Sequence, residues 1–505
     1  MFSLYIKKIL EANVYDVAIQ TPLDKMSYLS KQLKNNVFIK REDLQPVFSF
    51  KLRGAYNKIS KLSEAEKKRG VIAASAGNHA QGVALSATKL GIKSLIVMPK
   101  TTPDIKVRAV KNLGAEVLLF GDNFDEAFIH SREIAEDKSY TYIHSYDDSD
   151  IIAGQGTIGM EIYRQLNGKL DYLFVPVGGG GLIAGISVYI KYLNPEIKII
   201  GVESDESACL FKALEANKRI TLENVGIFAD GVAVKQIGKE TFDLAKKYVD
   251  EVVTVTTDEI CSAIKEIFEE NRTMSEPAGA LSLAGLKRYV KQNKIKNKNL
   301  IAIESGANIN FHRLRYISER TELGEKKEII LGVTIPERPG SFKTFCRTVG
   351  KLNITEFNYR YANFNDAQVF VGVQLDEDTN KTKEELVKKL IKLGYSVIDM
   401  SENELAKLHI RYMVGGHSKE VKNERIFRFE FPERSGALLE LLEAMNDKWN
   451  ISMFHYRNHG SAYGRVFMGI QVPEYELDLF KEFLNEINYR YFEETDNPAY
   501  EKFLA

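Results

Sequence analysis

Residues 172–193 read YLFVPVGGGGLIAGISVYIKYL, and the parsing of this stretch decides the fold. From Leu173 to Ile190 it carries no charge and approaches the length of a membrane span. Pro176 and four consecutive glycines, Gly178 to Gly181, interrupt it, and neither residue type is tolerated inside a continuous helix without cost. What remains is a buried strand (YLFVPV), a glycine turn and a helix (GLIAGISVYIKYL), with no membrane span.

Upstream the same grammar recurs. VIAAS leads into NHAQGVALSATKL, SLIVMP into PDIKVRAVKNL, and EVLLF into NFDEAFIHSREIA. Apolar, β-branched runs alternating with helical patterns from Asn36 to about Asn308 imply βαβ units and parallel sheets covered by helices on both faces. In such sheets ligands sit beyond the carboxyl ends of strands, where loops meet helix N-termini. Two polar runs fall there: Ser75-Ala76-Gly77-Asn78-His79 after VIAAS, and the glycines after YLFVPV.

With 505 residues the chain predicts two to four domains. Lys plus Arg and Asp plus Glu both number 69, a formal net charge of zero, so the overall balance favours neither nucleic acid nor an acidic membrane surface as partner. The basic run KQNKIKNK, from Lys291 to Lys298, lacks interleaved aromatics and reads as a solvated loop. Cys209, Cys261 and Cys346 are odd in number and far apart, which fits a reducing compartment without a disulfide framework. The N-terminal MFSLYIKKILEANVYDVAIQTPL has no long apolar core and no small-residue cleavage site, and reads as a helix; a cytoplasmic location is expected. None of the eight histidines forms a metal motif, the His455 and His459 pair included, so no metal is expected.

Beyond Asn308 an internal repeat appears at a spacing of about 96 residues. Pro336-Glu337-Arg338-Pro339-Gly340-Ser341-Phe342 matches Pro432-Glu433-Arg434-Ser435-Gly436-Ala437-Leu438. Asn353-Ile354-Thr355-Glu356-Phe357-Asn358-Tyr359-Arg360 matches Asn450-Ile451-Ser452-Met453-Phe454-His455-Tyr456-Arg457, and VFVGVQL from Val369 matches VFMGIQV from Val466. Each copy reads as strand, glycine turn, helix, strand, strand, helix, strand. A polar linker, SERTELGEKK at 318–327, separates residues 1–317 from a first module at 328–402 and a second at 424–495.

Three runs carry chemistry. Ser49-Phe50-Lys51-Leu52-Arg53-Gly54 offers an amine, with Phe48, Phe50 and Leu52 as apolar walls that would keep it neutral and reactive. Asn78 offers a polar contact for a ring hydroxyl, and Gly178 to Leu182 a cradle of backbone N–H groups for a phosphate. A competing parse exists: Gly179-x-Gly181-x-x-Ala184 followed by Glu203 fits a dinucleotide fingerprint. It comes late in its domain, however, and gives Lys51 and Asn78 no part.

These three runs, with Ser305 in Glu304-Ser305-Gly306-Ala307-Asn308, resemble the fold-type II pyridoxal-phosphate enzymes, and nearly end to end the biosynthetic threonine dehydratases (threonine ammonia-lyases). The resemblance implies an α/β catalytic domain of two parallel-type sheet subdomains, followed by an α+β tandem of ferredoxin-like, ACT-type regulatory modules. It implies pyridoxal 5'-phosphate held by Lys51, Asn78, Gly178, Gly179, Gly180, Gly181, Leu182 and Ser305, with Lys51 as catalytic base. Ser75, Ala76, Gly77, Asn78 and His79 would surround the substrate carboxylate. Ser305 at the pyridine nitrogen can share a hydrogen bond with a neutral nitrogen but cannot stabilise a pyridinium as a carboxylate would, favouring elimination over transamination. Serine racemases of this family carry a second serine where Ala76 stands, which removes the second base racemisation needs. Glu276-Pro277-Ala278-Gly279-Ala280 matches a further family run near the cofactor; Glu276 with Pro277 also reads as a helix start, and its role stays open.

By the same resemblance the substrates are L-threonine, giving 2-oxobutanoate and ammonia, and L-serine, giving pyruvate. The doubled module implies feedback inhibition by L-isoleucine and relief by L-valine, with Tyr359 and Tyr456 at equivalent repeat positions near the effector pockets, and the family implies a homotetramer. Two alternatives remain open at this point: the dinucleotide enzyme, and an amino-acid sensor with a degenerate front domain.

Overall fold

A computed structural model describes residues 2–324, 328–336, 345, 348–349, 354–361, 366–374, 379–410, 423–432, 448–457, 463–487 and 489–504. Two compact units divide between Ser318 and Glu319. Seven residues of the expected linker, 318–324, are helical, within a helix spanning Arg313–Gly324; Arg320 and Thr321 are buried there, so polar composition alone does not mark a solvated linker.

The first unit contains two sheets. Its strands are β1 (Leu23–Lys25), β2 (Asn36–Arg41), β3 (Val71–Ala74), β4 (Ser94–Met98), β5 (Glu116–Leu119), β6 (Thr141–Tyr142), β7 (Tyr172–Pro176), β8 (Lys198–Ser204), β9 (Glu251–Val255) and β10 (Asn299–Glu304). One sheet has the order β1-β2-β10-β7-β8-β9 and the other β5-β4-β3-β6. All pairings are parallel except β1 with β2. Parallel strands buried on both faces read as unbroken apolar runs. Val71, Ile72 and Ala73 of β3 and Leu173, Phe174 and Val175 of β7 are accordingly all buried.

Helices cover these sheets at the predicted places, including Asn78–Lys89 after β3 and Gly181–Leu193 after β7. Ile183, Ile186 and Ile190 of the latter pack with Leu173, Val175, Ile199 and Ile301 of the larger sheet. Each such buried aliphatic side chain contributes about 1.5–3 kcal/mol. Among the described residues no helix is long and apolar enough to cross a membrane, and Cys209 and Cys261 are buried and in no disulfide.

The second unit repeats one pattern twice. β11 (Glu328–Pro336), β12 (Ile354–Tyr361), β13 (Asp366–Gln374) and β14 (Ser396–Asp399) form an antiparallel sheet ordered β12-β13-β11-β14. β15 (Glu424–Pro432), β16 (Asn450–Arg457), β17 (Tyr463–Gln471) and β18 (Arg490–Glu493) form another ordered β16-β17-β15-β18. Even the irregularities correspond: the ladder slips between Ile354 and Glu356 in one copy and between Ile451 and Met453 in the other. The glycine turns at 337–344 and 433–440 lie outside the described residues.

Candidate active site

Lys51 is the first residue of the Lys51–Ser60 helix. Its amine Nζ donates to the carbonyl of Ser145 at 3.3 Å and lies 5.4 Å from the centre of the Phe50 ring. Burial pulls its pKa down to about 8, with the nearby Glu276 charge opposing the shift. Of the other expected walls, Leu52 packs away from the amine, with Val14, Ala18 and Val47, and Phe48 is exposed with a left-handed φ of 54°. Successive helical side chains point about 100° apart, so flanking residues cannot all line one amine.

The helix is set by close contacts. Gly82, on the Asn78–Lys89 helix, lies so near that a Cβ there would stand 3.1 Å from the backbone of Leu52. Two residues after Lys51, Arg53 is fully buried. Its guanidinium donates to both oxygens of Glu42 at 2.8 and 2.9 Å and of Glu161 at 2.6 and 3.1 Å. Buried Lys40 joins through Glu161 at 2.6 Å.

The glycine run lies between β7 and the helix Gly181–Leu193. Gly180, φ 89°, is its left-handed N-cap, and the first intrahelical bond is Ala184 N–H to the Gly180 carbonyl at 3.0 Å. The N–H groups of the first turn therefore lack helical acceptors and, with the helix dipole, make an anion cradle. The ring of Tyr146 rests on it: a Cβ at Gly179 would fall 2.1 Å from that ring. Lys51 and the glycines thus touch one segment, His144 to Asp147, which the sequence analysis did not single out. His144 Nδ1 accepts the N–H of Tyr146 at 3.2 Å and of Asp147 at 2.9 Å. The Asp147 carboxylate accepts the N–H groups of Lys239 and Glu240 at 2.8 and 2.9 Å.

Asn78 and Ser305 enter from opposite sheets. Asn78 Nδ2 donates to Glu276 Oε1 at 2.6 Å, and Asn78 Oδ1 accepts from Asn308 at 2.7 Å. Burial, then the Asp230 charge, push the Glu276 carboxyl up to about 7. Buried Ser305, directly after β10, has Oγ 3.2 Å from the Ala278 carbonyl, and its own carbonyl accepts the Phe50 N–H at 3.3 Å. Ser75 Oγ accepts the Gly77 N–H at 3.2 Å in the turn that follows β3. His79 Nε2 bonds the Ile143 carbonyl at 2.9 Å, and burial pulls its pKa to about 3, so it stands as a neutral scaffold group. Above the site Gly231 lies beside Glu276 and Asn78, its neighbour Asp230 held by Lys106 at 2.7 Å and Arg313 at 3.3 Å.

Among the described residues no group of three or more His, Cys, Asp or Glu could hold a metal ion. Glu203, the acidic residue of the dinucleotide parse, is buried and accepts the N–H groups of Leu210 and Phe211 at 2.9 and 2.8 Å. It caps a helix inside the protein, so that parse loses its ribose ligand. Tyr359 and Tyr456 occupy equivalent backbone positions, paired with Val369 and Val466; their side chains lie outside the described residues.

A reactive amine, an anion cradle on the other side of one loop, and polar groups from two parallel sheets fit an aldehyde carrying a phosphate. The fold and site define the class of pyridoxal-phosphate enzymes, and residues 14–306 match the family described as pyridoxal-phosphate dependent enzyme. Residues 319–410 and 415–504 match the C-terminal regulatory domain of threonine dehydratase. The chain belongs to the biosynthetic threonine dehydratase family. It is 56% identical over 502 residues to L-threonine dehydratase biosynthetic IlvA of Pasteurella multocida, covering 99% of this chain and 97% of that protein. To its Escherichia coli namesake it is 52% identical over 501 residues, covering 99% and 97%. The solved processed form of threonine deaminase isoform 2 from Solanum lycopersicum superposes with a TM-score of 0.62 at 49% identity, over 63% of this chain and 93% of that one.

Proposed function

We propose that this chain dehydrates and deaminates L-threonine to 2-oxobutanoate and ammonia, and L-serine to pyruvate, at the cleft around Lys51. The observation that carries the reading is the amine itself: half-buried, its pKa lowered to about 8, and beside the loop that packs on the glycine cradle.

When bound, pyridoxal phosphate supplies an aldehyde for the amino acid's amine and a ring that draws electrons from its α-carbon. Gly178 to Leu182 hold the phosphate through backbone N–H groups, Asn78 meets the ring oxygen, and Ser305 meets the ring nitrogen with a neutral hydroxyl. The N–H groups of the Ser75–His79 turn hold the substrate carboxylate. Lys51 Nζ takes the α-proton, which its lowered pKa suits at neutral pH. Ala76 carries no base to return a proton from the other face, which favours elimination over racemisation. The doubled C-terminal modules bind effector amino acids, L-isoleucine inhibiting and L-valine relieving, and assembly as a cytoplasmic homotetramer accompanies this reading.

The test is the visible absorption of the purified chain with and without K51A, then 2-oxo acid release from L-threonine with and without L-isoleucine. A violet band that needs Lys51, with isoleucine-sensitive release, is expected. A band without turnover would point to another substrate or a sensor.

A further inference from the structure

Val47, Asn308, Asn78 and Glu276 come from four separate segments and stand in one line of hydrogen bonds. Val47 supplies a carbonyl, which only accepts, so the Asn308 atom 2.8 Å from it is the amide nitrogen Nδ2. The same nitrogen donates to Asn78 at 2.7 Å, so the Asn78 atom there is Oδ1. Asn78 Nδ2 is thereby turned the other way, and one of its two hydrogens goes to Glu276 Oε1 at 2.6 Å.

Side-chain amides are ambiguous until their network is traced, and here the trace starts from an atom with one role. We infer that Asn308 and Glu276 are positioning residues that lock the Asn78 amide so its remaining N–H faces the ligand, and the ligand atom it meets is an acceptor. This rests on the reading that Asn78 meets the cofactor ring oxygen; that oxygen is then held ionised.

Both ends of the line are braced. Glu276 is buried, a Cβ on Gly306 would stand 2.7 Å from its Oε1, and one on Gly231 would stand 3.5 Å away. Asn308 follows directly on Ala307, whose N–H is held by the Phe48 carbonyl at 2.9 Å. A free Asn78 side chain would present either edge, and half its encounters with an anionic oxygen would be repulsive; the locked one meets it already oriented.

The experiment is equilibrium cofactor binding to the full-length chain stripped of cofactor, comparing pyridoxal phosphate with 3-deoxypyridoxal phosphate, which lacks only the ring oxygen. E276A and N308A are each expected to weaken pyridoxal phosphate about tenfold, one well-made hydrogen bond, and to leave the deoxy compound within about twofold. E276Q keeps an acceptor at Oε1 and is expected to restore binding to within about threefold of the parent. Equal losses for both cofactors in E276A and N308A would overturn the inference, because a merely structural defect is blind to the ring oxygen. N78A separates the two readings. If it too is blind, Asn78 does not meet the ring oxygen; if it alone discriminates, Asn78 does so without help from Asn308 and Glu276.

Discussion

Two cations stand two residues apart on one helix in opposite surroundings. Around Arg53 every guanidinium nitrogen has an acceptor: Glu42, Glu161, Thr157 and the Ile19 carbonyl. Its charge is locked in place, and although burial alone would lower its pKa, Glu42 and Glu161 hold it well above the usual value. Around Lys51 the amine has one carbonyl at 3.3 Å and an aromatic face, and its pKa falls. Burial is common to both; pairing separates them. A buried cation hydrogen-bonded to carboxylates becomes scaffold, and one with no carboxylate bonded to it gives up its proton more readily and so becomes the better nucleophile.

The comparison breaks most visibly at Lys51. K51A is expected to lower turnover by about 10⁴-fold or more, since it removes both the covalent anchor and the base. Its melting temperature should stay near that of the parent stripped of cofactor, because no network depends on the amine. A large drop in melting temperature would mean that Lys51 is scaffold after all. R53A should do the reverse. Leaving Glu42 and Glu161 buried without their shared cation costs about 3–5 kcal/mol, read as a lowered unfolding midpoint of the first unit. R53K should recover only part of this, because an ammonium cannot fork to two carboxylates.

The two cations also differ in what pH does to them. A lysine captures an aldehyde only when neutral, so below about 8 the rate of pyridoxal phosphate uptake by the cofactor-free chain should fall about tenfold per pH unit. Above that it should level off. A rate still climbing toward pH 10, the range of an ordinary lysine, would show that burial does not depress the amine. Arg53, held above its usual value by Glu42 and Glu161, stays protonated throughout.

What the sequence revealed and what it hid follow the same division. Lys51, Asn78 and the glycine run stand out in the sequence because each lies in a short run whose residue types suggest a chemistry, whereas Ser305 reads locally as a turn residue and stands out only through the family resemblance. The alternation of apolar runs and helices likewise placed the parallel sheets. In the sequence Arg53 is only a neighbour of Lys51, because its partners lie 11 and 108 residues away and nothing local marks them. Glu276 was visible as a helix start, and its bond to Asn78 spans 198 residues. The Tyr146 loop was hidden for a further reason: its contact with Gly179 depends on the packing of two separate sheets, which no periodicity encodes. Phe48, exposed, and Leu52, packed with Val14, Ala18 and Val47, do not wall the amine as their adjacency in sequence suggests.

The finest test asks whether the Arg53 scaffold depends on its charges or on each of its bonds. Thr157 is fully buried, accepts from Arg53 at 3.1 Å and donates to the Gly154 carbonyl at 2.6 Å. T157V keeps the shape and removes both bonds, while the Arg53 nitrogen involved keeps Glu161 at 2.6 Å. No cation is orphaned and no carboxylate loses its partner, so the expected loss is about 1.5–3 kcal/mol, the range of a hydrogen bond to a charged group and below that of R53A. The pH profile of cofactor uptake should be unchanged, because the Lys51 amine contacts none of these atoms. A loss as large as that of R53A would mean the network is held by geometry at each joint. Then the contrast between Lys51 and Arg53 would be one of fit, with charge pairing secondary.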